Sequence, residues 1–120
     1  MASNIAVAFV ALLHLLFMVL EMFFWTRPLG RRIFGLKPEL AKQTAALAAN
    51  QGLYNGFLAA GLIWGLASPG DATAISVFFL TCVIVAGVFG ALTANRSILF
   101  IQALPGAIAL ALILLSGKPL

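Results

Sequence analysis

Charge is scarce in this chain. Asp, Glu, Lys and Arg make up 8% of its 120 residues, and only Glu21, Glu39 and Asp71 are acids. Soluble domains carry about 25% charged residues, so a sequence that is 63% hydrophobic has too little polar surface to cover a soluble fold. One cysteine, Cys82, excludes an intramolecular disulfide and leaves no redox compartment to be read. One histidine, His14, argues against haem or di-metal chemistry. There is no His/Cys/Glu cluster at metal-ligand spacing, no serine beside a base and no phosphate-binding loop. No cofactor and no metal are expected.

What is present is apolar and continuous. The runs lack the alternation of a barrel strand and predict an all-α, single transmembrane domain over 1–120. It is an up-down antiparallel four-helix bundle with helices near 4–25, 44–66, 74–94 and 97–115. The first run has no Lys or Arg before its apolar core and exceeds a signal-peptide core, so it reads as a spanning helix. Between helices one and two lies a basic loop, 26–43, with Arg27, Arg31, Arg32, Lys37 and Lys42 against Glu39. Its middle, Arg31 to Leu36, has the mixed basic and apolar character of an interfacial segment. Pro69-Gly70 marks a tight second turn, and the short third connection contains Arg96, with Ser97 as a candidate cap. With both termini outside, six of the seven basic residues (five plus Arg96) fall on the cytoplasmic side and Lys118 alone falls outside. The net charge of +4 therefore reads as topology and lipid-headgroup contact, not nucleic-acid binding. The expected location is a bacterial inner membrane, multi-pass.

Within the first run, IAVAFVALLHLLFMVLEMFFW, an ionisable group at membrane depth costs about 2.5–3.5 kcal/mol on insertion scales and is a functional-site hypothesis by default. Glu21 and His14 are seven residues apart, on one helical stripe about 10 Å apart along the axis, together with Val7, Met18 and Trp25. The second helix carries Asn50, Gln51, Tyr54 and Asn55 in a broad polar sector that Gln43 and Thr44 extend. Opposite runs a small-residue stripe, Ala45, Ala49, Gly52, Gly56 and Ala59. Its GxxxG pair serves close packing within the monomer or a homo-oligomer with equal ease. Counting from the cytoplasmic boundary places Glu21 beside Asn50 and Gln51, and His14 beside Tyr54 and Asn55. Gln102, ahead of the kink expected at Pro105-Gly106, falls at similar depth. These seven residues form the candidate substrate-binding site, open toward the cytoplasm, with Arg27 or Arg31 as candidate charge partners for Glu21. The competing structural reading is an interhelical hydrogen-bond network, in which each amide contributes about 0.6 kcal/mol.

The stretches HLLFMVLEMFFWTRPLGRRIFGL, LAANQGLYNGFLAAGLIWGL and GVFGALTANRSILFIQALPGAIALAL cover most of the chain. They resemble the short bacterial membrane proteins grouped as domain of unknown function family 1304. The resemblance implies the four-helix membrane architecture and carries no activity with it. A likeness to small multidrug resistance transporters is weaker. Four helices and a lone glutamate in the first agree, but the strong loop charge bias and the inner position of the glutamate depart from that pattern.

Three functions remain open. The first is binding or translocation of a small lipophilic or cationic molecule, with Glu21 as charge partner or proton carrier. The second is a membrane enzyme acting on a lipid or isoprenoid, with Glu21 and His14 as acid and base. The third is a structural bundle that meets membrane lipid and another protein or a second copy through the Gly52/Gly56 face.

Overall fold

A computed structural model describes residues 1–117, so Lys118, the expected outer charge, lies outside the described residues. The described chain is all-α. Helix α1 (Ala2–Phe23), α2 (Pro28–Phe34), α3 (Pro38–Ala67), α4 (Ala72–Thr93) and α5 (Leu104–Leu115) follow in order, with a π-helical turn, Leu99–Ala103, leading into α5.

Proline and glycine set most of these boundaries. Pro28 opens α2, where its missing N–H costs nothing. Gly35 closes it at φ 64°, the left-handed cap that a side chain would strain. Pro38 then opens α3, with Glu39 in the first turn, where a carboxylate complements the helix dipole. The basic stretch expected to be a loop is therefore largely helical, and α3 begins at Pro38 instead of Thr44. Between α4 and α5, Asn95 Oδ1 accepts the Ser97 N–H at 2.9 Å. Here the asparagine caps, where Ser97 had been expected to. The fourth expected helix is divided: Leu104 N–H donates to Leu99 O, five residues back. This widened turn lies just before Pro105, whose ring would clash with the carbonyl of an ordinary α-helical turn.

The chain forms two compact units, Met1–Leu12 with Leu58–Leu120, and Leu13–Phe57. In the first, segments of four helices share one core. Val7, Val10 and Ala11 of α1, Leu62 of α3, Leu80 and Val83 of α4, and Ala109 and Ile113 of α5 are all buried. Helix α4 also packs along the π-helical turn, and a Cβ on Gly87 would stand 2.7 Å from the Ala103 nitrogen. Only glycine permits that approach.

In the second unit, the end of α1 and the first half of α3 form an antiparallel pair connected through α2. Helix α2 is anchored by Trp25, whose ring lies 4.8 Å from that of Phe34.

Among the described residues, two helices, α1 and α4, are long and apolar enough to cross a membrane. Helix α3 is longer, but Asn50, Gln51 and Asn55 dilute its hydropathy. Leu99–Leu115 is a shorter apolar helix.

Candidate functional site

The site grows from the pairing of α1 with α3 in the second unit. Three rungs connect them along the stripe that carries Met18, Glu21 and Trp25. At the α2 end, the Trp25 indole N–H donates to the Thr44 hydroxyl at 3.0 Å, and that hydroxyl donates to Leu40 O. In the middle, Asn55 Nδ2 donates to the Glu21 carboxylate at 2.5 Å. Beyond it, Met18 covers Gly56: a Cβ there would meet the Met18 sulfur at 2.8 Å. Gly52 is tighter, with Met22 Cγ at 2.7 Å and Glu21 Cβ at 3.1 Å from the same ideal position.

The small-residue stripe is therefore the seat of α1. Gly52 and Gly56 let the helix backbones close in until the short Asn55 side chain reaches Glu21. On the face read as serving packing or a homo-oligomer, Gly52 and Gly56 pack against the chain's own first helix.

Asn55 is buried, 5% exposed, whereas Glu21 is half-buried. Asn50, Gln51 and Tyr54 are exposed, and the Tyr54 ring meets Phe57 edge-on at 5.9 Å. Depth counting had set Glu21 beside Asn50 and Gln51, but the observed pairing lies about one helical turn further along α3. The reason is local. Because α3 starts at Pro38, its opening turns lie ahead of the level at which counting began, and the glycine approach then fixes the register. His14 is fully buried at 0% exposure and sits edge-on to Phe17 at 5.6 Å. Gln102 belongs to the other unit, half-buried on the π-helical turn. Of the seven residues expected to form one site, Glu21 and Asn55 are brought into direct contact. Asn50, Gln51 and Tyr54 lie on nearby turns of α3 and face outward.

The carboxylate takes an amide as its partner. Neither Arg27 nor Arg31 forms an ion pair with Glu21 among the described residues. Arg31 Nε is buried without a hydrogen-bond partner. Two cavities among the described residues lie elsewhere, in the first unit. No group of three or more potential metal ligands occurs among the described residues.

The Trp25–Thr44 rung was not anticipated, although its signal was present. Trp25 continues the His14–Glu21 stripe by one more turn, and Thr44 extends the polar sector of α3.

A family model described as "Protein of unknown function (DUF1304)" matches residues 8–114, nearly the whole length. The chain belongs to this family. Its DUF1304 sequence is 34% identical over 95 residues to the "Uncharacterized protein YpaA" of Lactococcus lactis subsp. lactis (strain IL1403), covering 78% of this chain and 80% of that protein. No solved structure matches it. The matched span takes in most of α1, all of α2, α3 and α4 and most of α5, and includes both Glu21 and Asn55.

Proposed function

We propose that this DUF1304 chain is a four-span protein of the bacterial inner membrane, with both termini outside. In this reading Glu21 is the anionic contact through which it binds or translocates a small lipophilic or cationic molecule. The membrane part is supported by surface chemistry. Only 28% of the apolar window of α1 and 22% of that of α4 is buried, whereas the core helix of a soluble protein turns most of its apolar surface inward. Phe9, Leu12, Leu16 and Phe23 of α1 and Phe78, Val85, Phe89 and Leu92 of α4 all face outward. Contiguous apolar surface on that scale belongs against lipid. Helix α3 and Leu99–Leu115 complete four crossings, with Arg27 to Lys42 and Arg96 on the inner side.

The observation that carries the ligand reading is the bonding of Glu21. It is an acid on an apolar helix, satisfied on one side by the Asn55 amide and by no cation. A buried or half-buried charge is stabilised by pairing, and a lipophilic cation arriving laterally would supply the partner that no arginine provides. Exposed Gln51 and Tyr54 nearby offer further polar contacts. The acid–base enzyme alternative gains nothing from His14, which has no exposed surface through which to meet a substrate.

The test is binding of tetraphenylphosphonium to purified protein in a neutral detergent, with proton release followed in weak buffer. Saturable binding accompanied by proton release, both lost in Glu21→Gln, is expected. Undiminished binding to Glu21→Gln would overturn the role of the carboxylate. The topology is tested separately in a Cys82→Ser background. Ser68→Cys should react with an impermeant maleimide in intact cells, and Lys37→Cys should react only after lysis.

A further inference from the structure

At the end of the first unit away from its π-helical turn, the starts of α1 and α4 meet the ends of α3 and α5 around a cavity of about 260 Å³. It is lined by Ser3 and Asn4 of α1, Gly65 of α3, Thr73 and Ser76 of α4, and Ser116 after α5, among others. Hydroxyls are concentrated here in a chain otherwise dominated by aliphatic and aromatic side chains. Ser3 and Ser76 are 8% and 4% exposed, and neither hydroxyl has a hydrogen-bond partner among the described residues. Neither oxygen is sealed off by its neighbours; both residues line the cavity, so their hydroxyls are available to an occupant that bonds to both.

The backbone gives the sign of that occupant. The first backbone bonds at the two helix starts are from Ile5 N–H to Met1 O and from Ile75 N–H to Asp71 O. The amides ahead of them that border the cavity, at Ser3 and Asn4 in α1 and at Ala72 and Thr73 in α4, have no intrahelical acceptor. Asp71 stands at the start of α4 but makes no side-chain cap, and it does not line the cavity. The carbonyl ends of α3 and α5 are partly satisfied instead. Gly65 O accepts from Ser68 N–H, and Ile113 O accepts from both the N–H and the hydroxyl of Ser116. Free amides at two helix starts and the hydroxyls of Ser3, Thr73 and Ser76 therefore offer donors at this end of the unit, and helix starts favour an anion.

We propose that this cavity binds an oxyanion, a phosphate or carboxylate group, held by the Ser3, Thr73 and Ser76 hydroxyls and the free amides of α1 and α4. Its volume lies just below the range of about 300–1,000 Å³ typical of sites for drug-sized ligands. The occupant is accordingly a headgroup or a small anion. A phospholipid headgroup entering from the outer leaflet and a dissolved oxyanion share this chemistry. The site is separate from Glu21 and does not depend on the ligand proposed there.

The test uses full-length protein in a neutral maltoside detergent, with thermal unfolding followed by circular dichroism. One arm titrates inorganic phosphate against chloride at matched ionic strength, and a second titrates dihexanoyl phosphatidic acid. Saturable stabilisation that grows with the logarithm of ligand above half-saturation is expected in at least one arm. Stabilisation by inorganic phosphate identifies a dissolved anion, and stabilisation by the lipid alone identifies a headgroup. Loss of a hydrogen bond to a charged group should raise the half-saturating concentration roughly tenfold in Ser76→Ala and in Ser3→Ala, with unliganded helicity unchanged and Glu21→Gln indistinguishable from the parent. Two outcomes would overturn the proposal: no stabilisation beyond chloride in either arm, or equal stabilisation of the parent and both serine variants.

Discussion

Replacing Asn55 with leucine exchanges the amide that donates to Glu21 for an apolar side chain of comparable length, at a position only 5% exposed. The Glu21 carboxylate then remains half-buried between α1 and α3 without its donor. Hydrogen bonds to charged groups are worth about 1.5–3 kcal/mol, while side-chain bonds between membrane helices average about 0.6 and reach about 1.7 kcal/mol. The Glu21–Asn55 bond belongs near the top of the membrane range, since its donor is buried and its acceptor has no competing arginine. Asn55→Leu should therefore destabilise by about 1.5 kcal/mol. The same change in a Glu21→Leu background should cost little, because no acid is left unpaired. The coupling from the double-mutant cycle is expected at about 1–1.5 kcal/mol. Reversible unfolding in mixed dodecyl sulfate micelles, read by circular dichroism and tryptophan fluorescence, gives the four free energies. A coupling within about 0.3 kcal/mol of zero, the ordinary scatter for independent sites, would refute the bond as a structural element.

The remaining expectations probe the packing around it. Gly52→Leu drives a side chain into Met22 and Glu21 and should cost about 1–3 kcal/mol as overpacking, whereas Gln51→Leu, at an exposed neighbour, should leave unfolding within about 0.5 kcal/mol of the parent. Leu62→Ala in the core of the first unit should lower stability by about 2–5 kcal/mol, measured in the same unfolding assay. Thr44→Val removes the acceptor of the Trp25 indole; a changed Trp25 emission, isolated in a Trp64→Phe background, with a loss of about 0.6 kcal/mol, is the expected signature.

Much of this protein could be read from its sequence because each feature is local. Sparse charge and unbroken apolar runs require helices whose backbone bonds are internal. Pro69-Gly70 and Pro105 mark a turn and an irregularity wherever the helices pack. Glu21 announced itself by composition alone, as the one acid within an apolar run.

Other features were legible only in part. The sequence placed amides on α3 and small residues on the opposite side, yet Asn55 lies next to Gly56 on the helix and shares the α1-facing side with it. A helical wheel divides residues into sectors by chemistry, but contact depends on how far a neighbouring backbone comes in. That distance is set by Gly52 and Gly56 together with Met18 and Met22.

The sequence by itself determined an all-α chain, the apolar character of α1 and α4, and the singular position of Glu21. The tertiary structure decided that Asn55, and not Asn50, Gln51 or an arginine, meets the carboxylate, and that Gly52 and Gly56 pack against α1. Composition and periodicity act along one helix. The register between two antiparallel helices depends on where the second begins, here at Pro38, and on the closest approach of their backbones, which no single helix encodes.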